Sequence, residues 1–263
     1  MLGLGLVVYG AEGVGKTSFA LEFSNLGPLK MFSIGETGYE DLTFLKDYEN
    51  VENFNVTDMS ELYEEVNHWD TDTKFLVIDS LQGLQSIFFD FTCKKKFQGN
   101  WEEFMSYWRG PRVEAPKEFE LFLGELNNLR RKGVSIILLG HMVTDKVTNT
   151  MGADYLMYNL EMDEGDKGGM RSLVRKWAQA ILFMNVEVKV TRPTEVDRKT
   201  RLVTEGKAAE EATRVIYTEK NPTYLAKNRL GLPPVISMGH SPEEAFENFM
   251  EALPKKVREA LMK

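Results

Sequence analysis

A glycine-rich segment near the start of the chain constrains the fold more than any other feature. Residues 10–17 read Gly-Ala-Glu-Gly-Val-Gly-Lys-Thr, which matches the spacing G-x-x-x-x-G-K-[ST] at every fixed position. An apolar, β-branched run at 4–9 precedes the segment, and residues 17–23 have the apolar spacing of a helix. A strand, a glycine loop and a helix in this order predict a loop whose backbone N–H groups surround a phosphate.

The side chains of this loop predict the binding of a nucleoside triphosphate. The ammonium group of Lys16 would reach the β- and γ-phosphates, and the hydroxyl of Thr17 would be a ligand of Mg²⁺. The predicted nucleotide-binding residues are Gly10, Ala11, Glu12, Gly13, Val14, Gly15, Lys16, Thr17 and Ser18.

The composition is that of an ordinary globular protein. The 263 residues, 43% of them hydrophobic and 27% charged, can bury a substantial core as one α/β domain. No apolar run approaches the roughly 18 residues of a membrane span, and we expect neither a membrane segment nor a signal peptide. Cys93 is the single cysteine in the sequence, which excludes an internal disulfide and a cysteine metal cluster and favours the reducing cytoplasm.

Apolar runs and helical patterns alternate through the first 140 residues, which predicts a mostly parallel sheet flanked by helices. The predicted strands are 4–9, 30–34, 74–78 and 134–139, with a short edge strand at 51–56. The predicted helices are 17–23, 59–69, 81–91 and 116–132. Strand-like runs at 177–190 and 214–218 and a hairpin tip at 224–232 predict a C-terminal antiparallel extension.

The domain organisation follows from the same patterns. We expect residues 1–240 to form one domain and 241–263 to form a helical tail, because Ser241 followed by proline is a typical helix start. Residues 98–116 are polar and aromatic and contain proline, which predicts an excursion from the core. Residues 142–172 are polar and contain glycine, which predicts a region of mobile loops.

A second group of residues predicts catalysis. The strand 74–78 runs into Asp79, and downstream of a phosphate loop such an aspartate holds Mg²⁺, usually through water. Many ring-forming AAA+ ATPases place a glutamate directly after this aspartate, but here Ser80 stands there. We predict instead that Glu36 is the base, at the carboxyl end of a strand expected beside the phosphate-loop strand. The alternative is a glutamate that merely belongs to the turn between Gly35 and Gly38.

Three further polar residues are candidates for sensing or stabilising the γ-phosphate. His141 follows the strand 134–139, where a neutral imidazole can donate to the γ-phosphate and signal to the next loop. Lys227 and Arg229 belong to the predicted hairpin tip, where a cation suits a finger that reaches into a neighbouring subunit's active site. The alternatives are an ordinary hydrogen-bonded histidine and a plain basic turn.

Together these segments resemble the RecA-like ATPases, and among them a compact group found mainly in bacteriophages, the phage nucleotide-binding or single-strand-annealing-type recombination ATPases. The resembling segments are GAEGVGKTS (10–18), SIGETG (33–38), FLVIDSL (75–81), IILLGHM (136–142), KWAQAILF (176–183) and AKNRLGLP (226–233). The sequence departs from the group at Gln179, where these proteins are expected to have an acidic residue.

The resemblance implies a RecA-like core that binds ATP and Mg²⁺ and assembles into a ring or filament of identical subunits. Lys227 and Arg229 would then act in trans. It also implies that the partner is single-stranded DNA, in recombination or annealing. A single-strand-binding or replication protein is a possible further partner. If the protein is phage-encoded, the resemblance implies the cytoplasm of a bacterial host. The preference for ATP over GTP comes from the resemblance, since no guanine-reading N-K-x-D motif is evident.

If DNA is bound, the region 144–176 is the predicted surface, because it follows the sensor strand. It offers stacking faces in Tyr155 and Tyr158 and several basic residues for phosphates. These predicted DNA contacts are Lys146, Lys167, Arg171, Arg175 and Lys176. Acidic residues interrupt the same region, and the net charge of −8 argues mildly against a nucleic-acid-binding protein.

Two other functions fit the same phosphate loop. A small-molecule kinase is one, although the distant Asp79 and the sensor strand disfavour it. A nucleotide-gated interaction module, such as a helicase loader or a KaiC-like regulator, is the other, and the acidic net charge favours it.

The predicted role of Glu36 can be tested directly. The Glu36→Gln variant should bind ATP normally and should not turn it over, because the amide cannot accept a proton from the attacking water. Nucleotide binding and steady-state hydrolysis measure the two effects separately. An active variant would place the base at another residue.

Overall fold

The computed structural model describes residues 2–35, 48–164, 169–191 and 207–262. The strands are β1 (Gly5–Gly10), β2 (Leu29–Ser33), β3 (Val51–Asn55), β4 (Phe75–Asp79), β5 (Ser135–Val147), β6 (Tyr155–Leu160), β7 (Ala180–Thr191), β8 (Lys207–Tyr217), β9 (Lys227–Asn228) and β10 (Val235–Ser237). The helices are α1 (Lys16–Leu21), α2 (Met59–Asn67), α3 (Leu81–Phe97), α4 (Trp101–Met105), α5 (Ala115–Arg131), α6 (Met170–Trp177), α7 (Pro242–Ala252) and α8 (Lys255–Leu261).

The main sheet has the strand order β10-β8-β7-β1-β5-β4-β2-β3. From β7 through β3 the strands are parallel, whereas β8 and β10 are antiparallel to their neighbours. The central strand β1 is buried along its whole length, as expected for a parallel strand covered on both faces. The predicted α/β fold, a mostly parallel sheet flanked by helices with antiparallel C-terminal strands, is confirmed.

Apolar cores lie on both faces of this sheet. One contains residues of α2, α3, α5 and α6. The other contains residues of α1, α7 and α8 and is rich in phenylalanine. In this second core the ring of Phe249 lies edge-on to that of Phe19, with 5.5 Å between the centroids. The C-terminal helix α7 is therefore fixed against the helix that follows the phosphate loop.

Two sequence expectations about the first half of the chain differ from the structure. Strand β2 pairs with β4 and β3, so β5 and β4 separate it from β1, and its expected position beside the phosphate-loop strand is wrong. Residues 98–116 are largely helical rather than an excursion, and they contribute the fully buried Phe104 to the core. An apolar side chain among polar neighbours is a weak local signal, and only packing against α3 reveals its place.

The expected loops after His141 are also replaced by regular structure. Strand β5 continues to Val147 and forms an antiparallel hairpin with β6. Residues 170–177 form α6, where a strand was expected to begin at Trp177. The apolar positions Met170, Val174 and Trp177 have helical spacing, but a helix of eight residues is too short to stand out in a sequence. Among the described residues, no helix is long and apolar enough to cross a membrane.

The packing of α7 generates a prediction about stability. Replacing the fully buried Phe249 by alanine should lower the free energy of unfolding by about 3–5 kcal/mol, because the surrounding rings cannot collapse into the cavity. Urea denaturation measures the change. The control is Leu121→Ala on the exposed face of α5, where the side chain is 65% exposed and the cost should be small. Equal costs for the two variants would show that α7 is not part of the cooperative core.

Candidate nucleotide-binding site

The loop between β1 and α1 has a conformation that depends on its glycines. Gly13 and Gly15 have φ angles of 69° and 102°, in the left-handed region that favours glycine. Gly10 lies so close to β7 that a Cβ atom there would be 2.1 Å from the carbonyl oxygen of Met184. Both fixed glycines of the motif, Gly10 and Gly15, are therefore required by the local backbone.

The side chain of Lys16 lies along this loop and is only 7% exposed. Its Nζ donates to the carbonyl oxygens of Ala11 and Gly10, at 2.8 Å and 3.2 Å. The ammonium group is thus held at the loop itself, where the sequence motif places the β- and γ-phosphates. A bound phosphate would offer this cation a charged acceptor.

The structure brings Thr17 and Asp79 together. The hydroxyl of Thr17 donates to Oδ2 of Asp79 at 2.7 Å, and Asp79 is 4% exposed. A hydroxyl and a carboxylate oxygen in contact are the oxygen ligands that Mg²⁺ takes in nucleotide sites, so these residues fit the predicted metal. Ser80, the residue after Asp79, caps α3 by accepting from the backbone N–H of Gly83 at 3.4 Å.

His141 lies level with the phosphate loop. In the parallel pairing of β1 with β5, His141 is the partner of Gly10. Its carbonyl oxygen accepts from the backbone N–H of Glu161 at 3.0 Å, so the residue is tied to the β5–β6 hairpin rather than to the start of a loop. Its role as a γ-phosphate sensor stays a prediction.

Glu36 lies outside the described residues. The strand before it, β2, ends beside Asp79, since Ser33 pairs with Asp79 in the register of β2 and β4. The end of β2 therefore lies beside β4 and is not adjacent to β1. The role of Glu36 as the catalytic base stays a prediction.

Lys227 and Arg229 have different surroundings. Lys227 belongs to β9, which pairs with β7, and its Nζ donates to the carbonyl oxygens of Arg175 and Ala178 at 2.6 Å and 2.5 Å. These are carbonyls at the C-terminal end of α6, where a cation is favourable. Burial, and then the charges of Arg229 and Arg175, lower the pKa of Lys227. The side chain of Arg229 is exposed.

The structure gives Gln179 a structural contact. Its Oε1 accepts from the backbone N–H of Gly5 at 3.0 Å, and its own backbone N–H donates to the carbonyl oxygen of Gly5 at 2.8 Å. Tyr9, one residue before the loop, donates its hydroxyl to the carbonyl oxygen of Leu225 at 2.5 Å. Both side chains fix β1 to the C-terminal part of the chain, which no local sequence pattern indicated.

Most of the basic residues proposed for DNA contact have acidic partners. Arg171 is 8% exposed and contacts both Asp145 and Glu164. Arg175 pairs with Glu164 at 3.3 Å, and Lys146 pairs with Asp154 at 3.0 Å. Two members of the predicted set remain, the exposed Lys176 and Lys167, which lies outside the described residues.

Comparisons with known proteins identify the family of the chain. A family model described as an AAA domain matches residues 3–230. No curated protein matches the chain. Among solved structures, a KaiC-like protein from the hyperthermophilic archaeon Pyrococcus horikoshii is 13% identical, with a TM-score of 0.40, over 81% of this chain and 77% of that chain. At that score the two structures share only a distant likeness. The family match spans most of the chain, including the phosphate loop, Thr17 and Asp79, so the protein belongs to the AAA domain family and has a P-loop ATPase fold.

Proposed function

We propose that the protein binds ATP together with Mg²⁺ and hydrolyses it, and that single-stranded DNA stimulates the hydrolysis. The main support for ATP hydrolysis is the 2.7 Å hydrogen bond from the hydroxyl of Thr17 to Oδ2 of Asp79, next to the buried Lys16. A phosphate-binding loop, a cation and a pair of metal-type oxygen ligands meet at one edge of the sheet. Phosphoryl transfer needs these groups because catalysis consists mainly of positioning and charge stabilisation.

Each residue of the site would have its own role in the reaction. The backbone N–H groups of the loop and the ammonium of Lys16 would bind the phosphates. Thr17 and Asp79 would hold Mg²⁺, which when bound neutralises charge on the β- and γ-phosphates. Glu36 would orient and deprotonate the attacking water. His141 would respond to the γ-phosphate and pass its presence along β5.

The case for DNA rests on the β5–β6 hairpin. Strand β5 contains His141 and runs on without a break into the hairpin. Tyr155 on β6 is 37% exposed, and an exposed aromatic ring is suited to stacking on unpaired bases. The ring of Tyr158, on the opposite face of the strand, stacks on Phe183 within the chain. Lys176 at the end of α6 adds an exposed cation for the phosphates. Nucleotide state at the loop would thereby reach the DNA surface through one continuous strand.

A second function, a nucleotide-gated interaction module, is favoured by the ion pairs in the same region. Arg171, Arg175 and Lys146 each contact a carboxylate, so their charges are already compensated within the chain. The net charge of −8 also favours the interaction module over a DNA-binding protein. In this case ATP would change the affinity for a protein partner, and DNA would not change the rate of hydrolysis.

Steady-state ATP hydrolysis with and without single-stranded DNA, at low and at high salt, distinguishes the two functions. The proposal predicts stimulation that falls with salt, because contacts to DNA phosphates release counterions. Hydrolysis that is indifferent to DNA would favour the interaction module. The variant Lys16→Ala should abolish hydrolysis under every condition, and turnover retained by this variant would contradict the assignment of the site.

We further propose that the protein forms a ring or filament in which Arg229 completes the active site of a neighbouring subunit. Its exposed side chain suits this role, whereas Lys227 contacts the end of α6 in its own chain. Arg229→Ala should reduce the turnover rate by about 10³-fold or more, as removal of an arginine finger does.

Mixing two inactive variants tests whether Arg229 acts in trans. Arg229→Ala subunits mixed with Glu36→Gln subunits should regain some activity, because one type of mixed interface has both groups intact. No recovery at any ratio would argue against a finger in trans. Lys227→Met is the matched control: it should lower the stability of the isolated subunit by about 1–2 kcal/mol, because the carbonyls of α6 lose a charged donor.

A further inference from the structure

The guanidinium group of Arg214 lies on the same face of the sheet as the helix that follows the phosphate loop. Arg214 belongs to β8 and is paired with Val186 of β7, two residues beyond Met184, the partner of Gly10. Ile216, two residues along β8, is buried in the apolar core that contains α1. Because side chains alternate along a strand, Arg214 is directed to the same face, just past the carboxyl end of β1.

Arg214 also lies close to the loop itself. A Cβ atom on Gly15 would be 3.7 Å from Nη1 of Arg214 and 3.8 Å from Cε of Met238. The backbone links the same residues, since the N–H of Met238 donates to the carbonyl oxygen of Arg214 at 3.0 Å. On its other side the guanidinium donates to the carbonyl oxygen of Gly239 through Nη2, at a long 3.5 Å. The cation is therefore held next to the residue that precedes Lys16.

The electrostatic surroundings of Arg214 differ from those of the arginines near α6. Arg171 and Arg175 each pair with a carboxylate. Within the part of the chain that the structure describes, no carboxylate forms an ion pair with Arg214. A partly buried guanidinium without a counter-charge is favourable where an anion binds, and a guanidinium matches the oxygens of a phosphate.

We propose that Arg214 binds a phosphate group of the nucleotide held by its own subunit. This inference rests on the nucleotide binding proposed above and assigns the loop a second cation from the antiparallel part of the sheet. The contact adjoins Gly15, at the base of the loop, so it serves the phosphates that nucleoside diphosphates and triphosphates share. Arg214 thus differs from Arg229, which would act on a neighbouring subunit and on the transition state.

Titration calorimetry with ATP and with ADP tests the proposal. The variant Arg214→Met should bind both nucleotides about tenfold or more weakly, because a charged hydrogen bond is lost. Arg214→Lys should retain part of the affinity, since it keeps the charge. The control Arg131→Met replaces an exposed arginine at the C-terminal end of α5 and should bind as the wild type does. Affinities of Arg214→Met within twofold of the wild type for both nucleotides would overturn the proposal.

Two further measurements separate this inference from the proposed function and from a folding defect. If Lys16→Ala weakens binding and Arg214→Met does not, the site stands and the role of Arg214 is wrong. If the wild type binds neither nucleotide, the proposed function itself fails. Arg214→Gln removes the charge and keeps a polar side chain, and the long 3.5 Å contact to Gly239 that it loses is weak, so it should melt near the wild-type temperature without nucleotide and still lose affinity. Wild-type affinity in Arg214→Gln would contradict a charge contact.

Discussion

The parallel pairing of β1 with β5 on one side and β7 on the other is the constraint on which the candidate site depends. In a parallel sheet the carboxyl ends of the strands meet at one edge, which is where ligands bind in open α/β folds. Gly10 is thereby level with His141 and with Met184. Strand β4 brings Asp79 to the same edge, so its carboxylate meets the hydroxyl of Thr17 although 62 positions separate them in the sequence.

The basic residues of the C-terminal half of the chain have different roles in this fold. Lys227 holds the end of α6, and Arg171 ties α6 to Asp145 and Glu164. These contacts strengthen the framework around the hairpin, and they remove charge from the surface that the sequence indicated for DNA. By contrast, Arg214 lies at the phosphate loop without a carboxylate partner among the described residues. This guanidinium therefore lies where a polyphosphate would bind.

Local patterns were sufficient to predict the loop, the strand that leads to Asp79 and the class of fold. Each of these features is determined by residues that are close in the sequence, so motif spacing and apolar periodicity are enough to reveal them. The position of β2 next to β4 was not predicted, because strand order depends on packing across the whole sheet. The sequence likewise suggested Lys227 as a finger acting in trans. Its actual partner, the carbonyl oxygen of Arg175, is 52 positions away in the chain, so no local pattern indicated the contact. Arg214 belongs to no motif and becomes a candidate only through its distance from Gly15.

In the proposed nucleotide site, Thr17 and Asp79 hold the metal ion. The most direct test is the affinity for ATP, measured by titration calorimetry with Mg²⁺ and with EDTA, in the wild type and in Asp79→Asn. We expect Mg²⁺ to tighten binding in the wild type, and we expect this gain to be largely lost in the variant, which lacks a charged oxygen ligand. An equal gain in both proteins would contradict the assignment of Asp79, and the absence of any binding to the wild type would contradict the site as a whole.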